Sequence, residues 1–122
     1  MKYLDDFLIV EEGGIILFSH STNSGNIKND ALFAGLLEAI TIFFRESIGD
    51  EVVDINGKRT RISFNSRNQL LFIGIAPINK PKASITKELN LLANKFKIMF
   101  KEELNNIQDK DLMIYEKFRK EL

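Results

Sequence analysis

Two apolar runs, Phe7 to Val10 and Ile15 to Phe18, flank the segment Glu11-Glu12-Gly13-Gly14. Glycine tolerates the positive φ of a tight connection, so this pattern predicts a β-hairpin. Phe7 to Val10 is apolar at every position, and Gln69 to Ala76 is nearly so, with Leu70, Leu71, Phe72, Ile73 and Ile75. Runs without alternation belong to strands covered on both faces, which places these two at the centre of a sheet. Lys58 to Asn65 alternates instead: Thr60, Ile62 and Phe64 share one face, and Arg59, Arg61 and Ser63 the other. Asn56-Gly57 predicts a type I′ turn leading into it from a strand over Glu51 to Ile55. A second turn at Ser66-Arg67-Asn68 returns the chain. With the first and last strands inside, the sheet order is 2-1-5-4-3.

Helical periodicity fills the intervals. Asn29 or Asp30 can cap a helix from Ala31 to Ile48 that stops at Gly49-Asp50. Steps of about 100° from Leu32 put Leu36, Ala39, Ile40 and Phe43 in one stripe, and Phe33, Leu37, Phe44 and Ile48 widen it to roughly half the circumference. One sheet face needs less than that. Gly35 inside this helix costs about 1 kcal/mol against alanine, which suggests close packing on the sheet or a partner. After an irregular stretch from Pro77 to Pro81, a long helix capped by Ser84 carries Ile85, Leu89, Leu92, Phe96, Met99 and Phe100 on one face and Leu91 and Ile98 on the other. Asp109 or Asp111 can cap a short last helix through Met113, Tyr115 and Phe118, docking where the long helix leaves the sheet uncovered. The pattern is ββαβββα, an α/β architecture of the α+β type: a five-stranded antiparallel sheet, one helix on one face and one or two C-terminal helices on the other.

Composition narrows the function classes. A chain of 122 residues makes one domain, 1–122, with a core that needs no disulfide or metal. Lys plus Arg and Asp plus Glu number 17 each, so the net positive field that nucleic-acid binding draws on is missing, and no nucleic-acid partner is expected. Zero cysteines remove thiolate chemistry and Cys-based metal sites, leaving His20 as the lone imidazole. Acidic Asp5 and Asp6 stand where a secretory signal would be apolar, which points to the cytoplasm. Ala31 to Phe44, the longest greasy region, is cut by Glu38 and is shorter than the ~20 residues a spanning helix needs, so no transmembrane segment is expected.

The residues Phe7 to Val10 with Gly13 to Phe18, then Asp30-Ala31-Leu32-Phe33-Ala34-Gly35-Leu36-Leu37-Glu38-Ala39-Ile40, then Leu70 to Ile73, resemble longin-like domains of the profilin-like, roadblock/longin superfamily. The likeness is greatest to small, stand-alone longin-like proteins of archaea that also encode eukaryote-like small GTPases. Roadblock domains usually carry a helix before the first strand, and Met1 to Asp6 is too short for one. The resemblance implies protein binding in small-GTPase regulation or vesicle-traffic-like assembly. It also implies a partner site in the groove between the first helix and the third strand: Phe33, Leu37, Phe44, Ile48, Val52 and Val53.

No residue set announces catalysis. Ser19 and Ser21 neighbour His20 on a strand, and adjacent strand residues point to opposite faces, so a Ser/His pair is not expected and His20 reads as an exposed strand end. Gly13-Gly14 leads into a strand rather than a helix N-terminus, unlike a phosphate loop. The loop Thr22 to Asn29 could offer amides to an anion, but Asp30 already supplies the negative charge. The pairs Asp5/Asp6, Glu11/Glu12 and Glu102/Glu103 read as solvated. Lys87, Lys95, Lys97 and Lys101 spread over the outer face of the long helix, a solvated face or a contact with anionic lipid or a partner. These readings give a non-enzymatic, self-associating interaction module. No catalytic, cofactor or metal residues are assigned; a homodimer and a small GTPase are the expected partners, with peripheral membrane contact through a partner. The alternatives are a small-molecule-sensing domain and a purely structural homodimer.

Overall fold

The computed structural model describes residues 1–22, 27, 29–105 and 112–122. β1 (Asp6–Glu11) and β2 (Ile15–Ser21) precede α1 (Asp30–Ile48); β3 (Asp54–Asn56), β4 (Thr60–Arg67) and β5 (Leu70–Pro77) follow. Then come α2 (Lys82–Met99), α3 (Lys101–Asn105) and a 3₁₀ helix (Leu112–Glu121). Every strand pair is antiparallel and the order is β2-β1-β5-β4-β3, as the hydrophobic pattern predicts. β1 and β5 are buried on both faces.

Turn chemistry explains the first hairpin and corrects the second. Gly13 and Gly14 adopt φ of 96° and 83°, which a residue with a Cβ rarely holds. Asn56 and Gly57, however, are not left-handed, and the type I′ turn expected there is absent. Asn56 stays in the ladder opposite Arg61, whose Nε donates to its Oδ1 at 3.1 Å. The Gly57 amide reaches Thr60 O at 2.8 Å, so Lys58 and Arg59 form the centre of the turn. β3 is also shorter than the predicted Glu51 to Ile55, because the Glu51 amide turns to its neighbour Asp50 Oδ1 (2.7 Å) instead of joining the ladder.

Each face of the sheet carries its own core. On one side α1 covers Leu8, Val10, Phe64, Leu71 and Ile73. On the other, α2 and the 3₁₀ helix cover Phe7, Ile9, Phe18 and Phe72 with Leu89, Phe96 and Phe118. Phe118 lies 5.5 Å from Phe18 and 5.2 Å from Phe96 between ring centroids, both edge-on, the favoured arrangement for aromatic pairs. The last helix therefore docks on β2 beside α2, in the gap expected for it. Met113 and Met99 point outward instead of into the core. The caps suggested at Asp109 and Asp111 lie outside the described residues. α2 begins behind Pro81, earlier than a Ser84 cap would allow, and the Ser84 amide donates to Pro81 O at 3.1 Å as part of its first turn.

The strands β3 and β4 turn a polar side toward α2. Asn65 Nδ2 donates to Asn90, Arg67 Nη1 donates to Asn94, and Lys82 pairs with Asp54 at 2.9 Å. The first residues are fixed by Glu88 of α2, whose carboxylate accepts the amides of Lys2, Tyr3 and Leu4 at 3.0, 2.9 and 3.1 Å. Leu4 then lies over Gly74, where a Cβ would come within 2.7 Å of its Cδ2, so a larger residue there would have to displace the Leu4 side chain. Among the described residues no helix is long and apolar enough to cross a membrane.

Candidate interaction surface

Asn29 caps α1 by accepting the Leu32 amide at 3.0 Å, and Gly49 ends it in the left-handed conformation, as expected. Between these caps, the helix sits on the sheet in an unexpected rotation. Ala34 and Leu37 are buried against it, with Phe33, Ile40, Val52 and Ile55 packed at the edges. The stripe assigned to the sheet by periodicity faces away: Leu32 is 71% exposed, Leu36 58% and Phe43 62%, and Ala39 is exposed too.

The cause is polar. Glu38, which interrupts the apolar run, accepts the Gly13 amide at 2.6 Å, and its second oxygen is buried beside the β1–β2 turn. Thr41 Oγ1 donates to Leu37 O at 2.9 Å, so its hydroxyl is satisfied within the helix. These two bonds let polar side chains lie along the inner flank and turn the most apolar meridian outward. Glu38, which in the sequence only interrupts an apolar run, fastens α1 to the first hairpin.

This rotation places the six residues expected in the groove at different depths. Leu37 is core, 3% exposed, and cannot meet a partner without unfolding the helix from the sheet. Phe33 and Phe44 of α1 are half-buried, as is Val52 beyond it, whereas Ile48 and Val53 stand exposed at the C-terminal end of the helix. Leu32, Leu36 and Phe43 were missed as surface residues because the arc left two helix phases open and periodicity favoured the wrong one. Gly35 is not tightly packed on the sheet: a Cβ there would meet open space. It lies on the exposed side in a row with Ala31 and Ala39, spaced one turn apart.

The other candidates for chemistry have structural partners. Ser21 Oγ donates to Asp6 Oδ1 at 2.5 Å, and Asp6 is fully buried between β2 and β5 rather than solvated. His20 is half-buried, not fully exposed, with Nδ1 2.9 Å from Arg119 Nη1. Arg119 also donates to Ser19 O at 3.1 Å and lies over the Phe18 ring. Burial, then the Arg119 guanidinium and the chain's N-terminal ammonium, lower the His20 pKa below 6.5, against an opposing pull from Asp6. Because the folded state holds His20 neutral, stability is full above pH 6.5 and falls as the pH drops from there to the lowered folded value. Thermal melts between pH 7.5 and 5 should show a decline in Tm across that window that His20→Gln removes; an identical decline in the variant would assign it to carboxylates. Most of the loop expected between Thr22 and Asn29 lies outside the described residues. Among the described residues no three His, Asp or Glu side chains converge.

A five-stranded antiparallel sheet in the order 2-1-5-4-3, with one helix on one face and the C-terminal helices on the other, defines the longin-like class of domains. Residues 5–122 match the family of the first longin domain of FUZ, MON1 and HPS1, and the chain belongs to that family. Among solved structures it is similar to a roadblock/LC7 domain from Streptomyces avermitilis, with a TM-score of 0.67 at 12% identity over 80% of this chain and 86% of that one. MglB of Myxococcus xanthus aligns with a TM-score of 0.66, 12% identity and 80% and 84% coverage. The mammalian SRP receptor aligns at 0.55, with 16% identity and 90% and 78% coverage. At these identities the likeness is one of fold. No curated protein matches the sequence significantly.

Proposed function

We propose that this longin domain is a non-enzymatic interaction module that pairs with a second copy of itself through the outer face of α1 and the β3 edge, and that serves assemblies built around a small GTPase. The observation that carries this reading is the outward rotation of α1. Leaving Leu32, Leu36 and Phe43 in water forgoes about 1.5–3 kcal/mol of burial for each, and a contiguous apolar face of this kind marks an association site. The row Ala31, Gly35 and Ala39 beside them lets a facing helix approach closely. Val53 and Ile48 extend the face to β3, an edge strand with one side of its ladder open. An MglB of the same fold has been solved in a tetrameric arrangement, which supports self-association as a use of this fold. The small GTPase rests on the longin resemblance. A small-molecule sensor is less well supported, since Phe7, Phe72 and Phe96 fill the space under α2, and Leu8, Leu37 and Ile73 the space under α1.

Multi-angle light scattering at micromolar concentration should give the mass of a dimer or larger. A mass of one chain up to several hundred micromolar would overturn the self-association. For the partner class, affinity purification from the native cell lysate followed by mass spectrometry should enrich small GTPases over a Phe43→Asp control; equal recovery with both baits would count against it.

A further inference from the structure

The face of α2 turned from the sheet carries a second surface, on the opposite side of the molecule from α1. Its core-facing residues, Ile85, Leu89, Leu92 and Phe96, fix the rotation, so Lys87, Leu91 and Ile98 fall along the meridian farthest from the sheet, with Lys95 exposed on its flank. Ile98 is 79% exposed and Leu91 47%. The four residues cover about 16 Å of helix, with an aliphatic side chain following each lysine along the axis.

The charge here is one-sided although the whole chain is neutral. α2 contains Lys82, Lys87, Lys95 and Lys97 against a single acid, Glu88. Glu88 is turned inward onto the amides of Lys2, Tyr3 and Leu4, and Lys82 is paired with Asp54. Neither neutralises the outer meridian, and the acids nearest its lysines from another element, Glu121 and the carboxylate of Leu122, share with Lys87 and Lys95 a surface that Lys2 also lines. The acids of α3, Glu102 and Glu103, come beyond the end of α2 and bound the basic strip.

We propose that this strip is a peripheral contact for an anionic lipid surface. An acidic protein would answer the lysines but would leave Ile98 and Leu91 without apolar partners unless it offered a matching groove. A bilayer interface answers both: headgroups take the lysine ammonium groups, whose stems reach outward, while short aliphatic side chains enter the acyl boundary. A convex single-helix ridge also suits a deformable plane. With few lysines the contact is weak and salt-sensitive, which suits a domain that is held at the membrane by a second attachment. The α1 face, across the sheet, stays free to bind its partner at the same time.

Co-sedimentation of the purified chain with phosphatidylcholine vesicles containing about 30% phosphatidylserine tests this. Binding should be clear at ~50 mM salt, fall at least fivefold by ~300 mM, and be lost with phosphatidylcholine alone. Lys87→Glu with Lys95→Glu should lower partitioning at least tenfold, and the milder Lys87→Gln with Lys95→Gln several-fold; all these positions face solvent. The chain has no tryptophan, so Ile98→Trp gives a single reporter whose emission should shift to the blue on adding the anionic vesicles. Phe43→Trp on α1 should not shift. Absence of binding at low salt, equal binding to both lipid compositions, or unchanged binding by the charge-reversal pair would overturn the proposal. So would lysine-dependent retention on immobilised polyglutamate without vesicle binding, which would assign the strip to an acidic protein.

Discussion

Phe43→Asp should leave a folded monomer where the proposed self-association holds the parent chain together, and Leu37→Asp should prevent folding. The two residues lie on one helix and differ in which way they face. Phe43 is 62% exposed, so a carboxylate there stays hydrated and stability should change by no more than ~0.5 kcal/mol. A partner helix would have to bury that charge unpaired, at a cost of about 3–5 kcal/mol, so association should weaken at least 100-fold. Leu37 is packed beside Val10 and Leu71. Removing such a side chain alone costs ~2–5 kcal/mol, and an unpaired buried carboxylate adds to this against a domain total of 5–15 kcal/mol. Light scattering and circular-dichroism melts separate the two effects. If Phe43→Asp stays associated while Leu91→Asp dissociates, the copies meet across α2 and the assignment of α1 is wrong.

Phe118→Ala should cost about 3–5 kcal/mol, a large loss for a residue outside the central strands. The ring is fully buried and sits within 6.5 Å of the ring centroids of Phe7, Phe18, Phe96 and Phe100. It joins β1, β2 and α2 in one cluster and anchors the segment that bears Arg119. Urea denaturation gives the stability, and hydrogen exchange gives the location: amides of β2 should exchange faster than those of β4 in the variant. A loss under 1 kcal/mol would mean that the 3₁₀ helix leans on the sheet without supporting it.

The sheet was legible because its signals are local and redundant. Unbroken apolar runs at Phe7 to Val10 and Leu70 to Ile73 mark the double-covered centre, and Thr60 to Phe64 alternates as a one-sided strand must. Gly13-Gly14 did what its chemistry allows. Asn56-Gly57 did not, because Arg61 across the ladder offered Asn56 a partner that kept it extended. The same kind of competition hid the surface of α1. Glu38 bonds to a backbone amide 25 residues away, and a contact of that range leaves no trace in helical periodicity. Asp6 was misread in the same way, its partner Ser21 being on the next strand. Surface residues whose exposure follows from one helix's own pattern, Leu91 and Ile98, were placed correctly.

The contacts from Asn65, Arg67 and Asp54 to Asn90, Asn94 and Lys82 give α2 something the aromatic cluster cannot. Ring contacts tolerate a range of small rolls and slides of the helix, whereas directed hydrogen bonds hold only over a narrow range of angle and register. They lie on one flank of α2, spaced along it from its first turn to its middle, and so index its orientation as teeth index a rack. Replacing them with apolar residues of similar size would keep the domain folded, yet allow α2 several nearly equivalent seats. The loss would appear as conformational heterogeneity, broadened resonances from α2 in a protein of unchanged Tm, and the direction in which its outer residues point would no longer be single-valued.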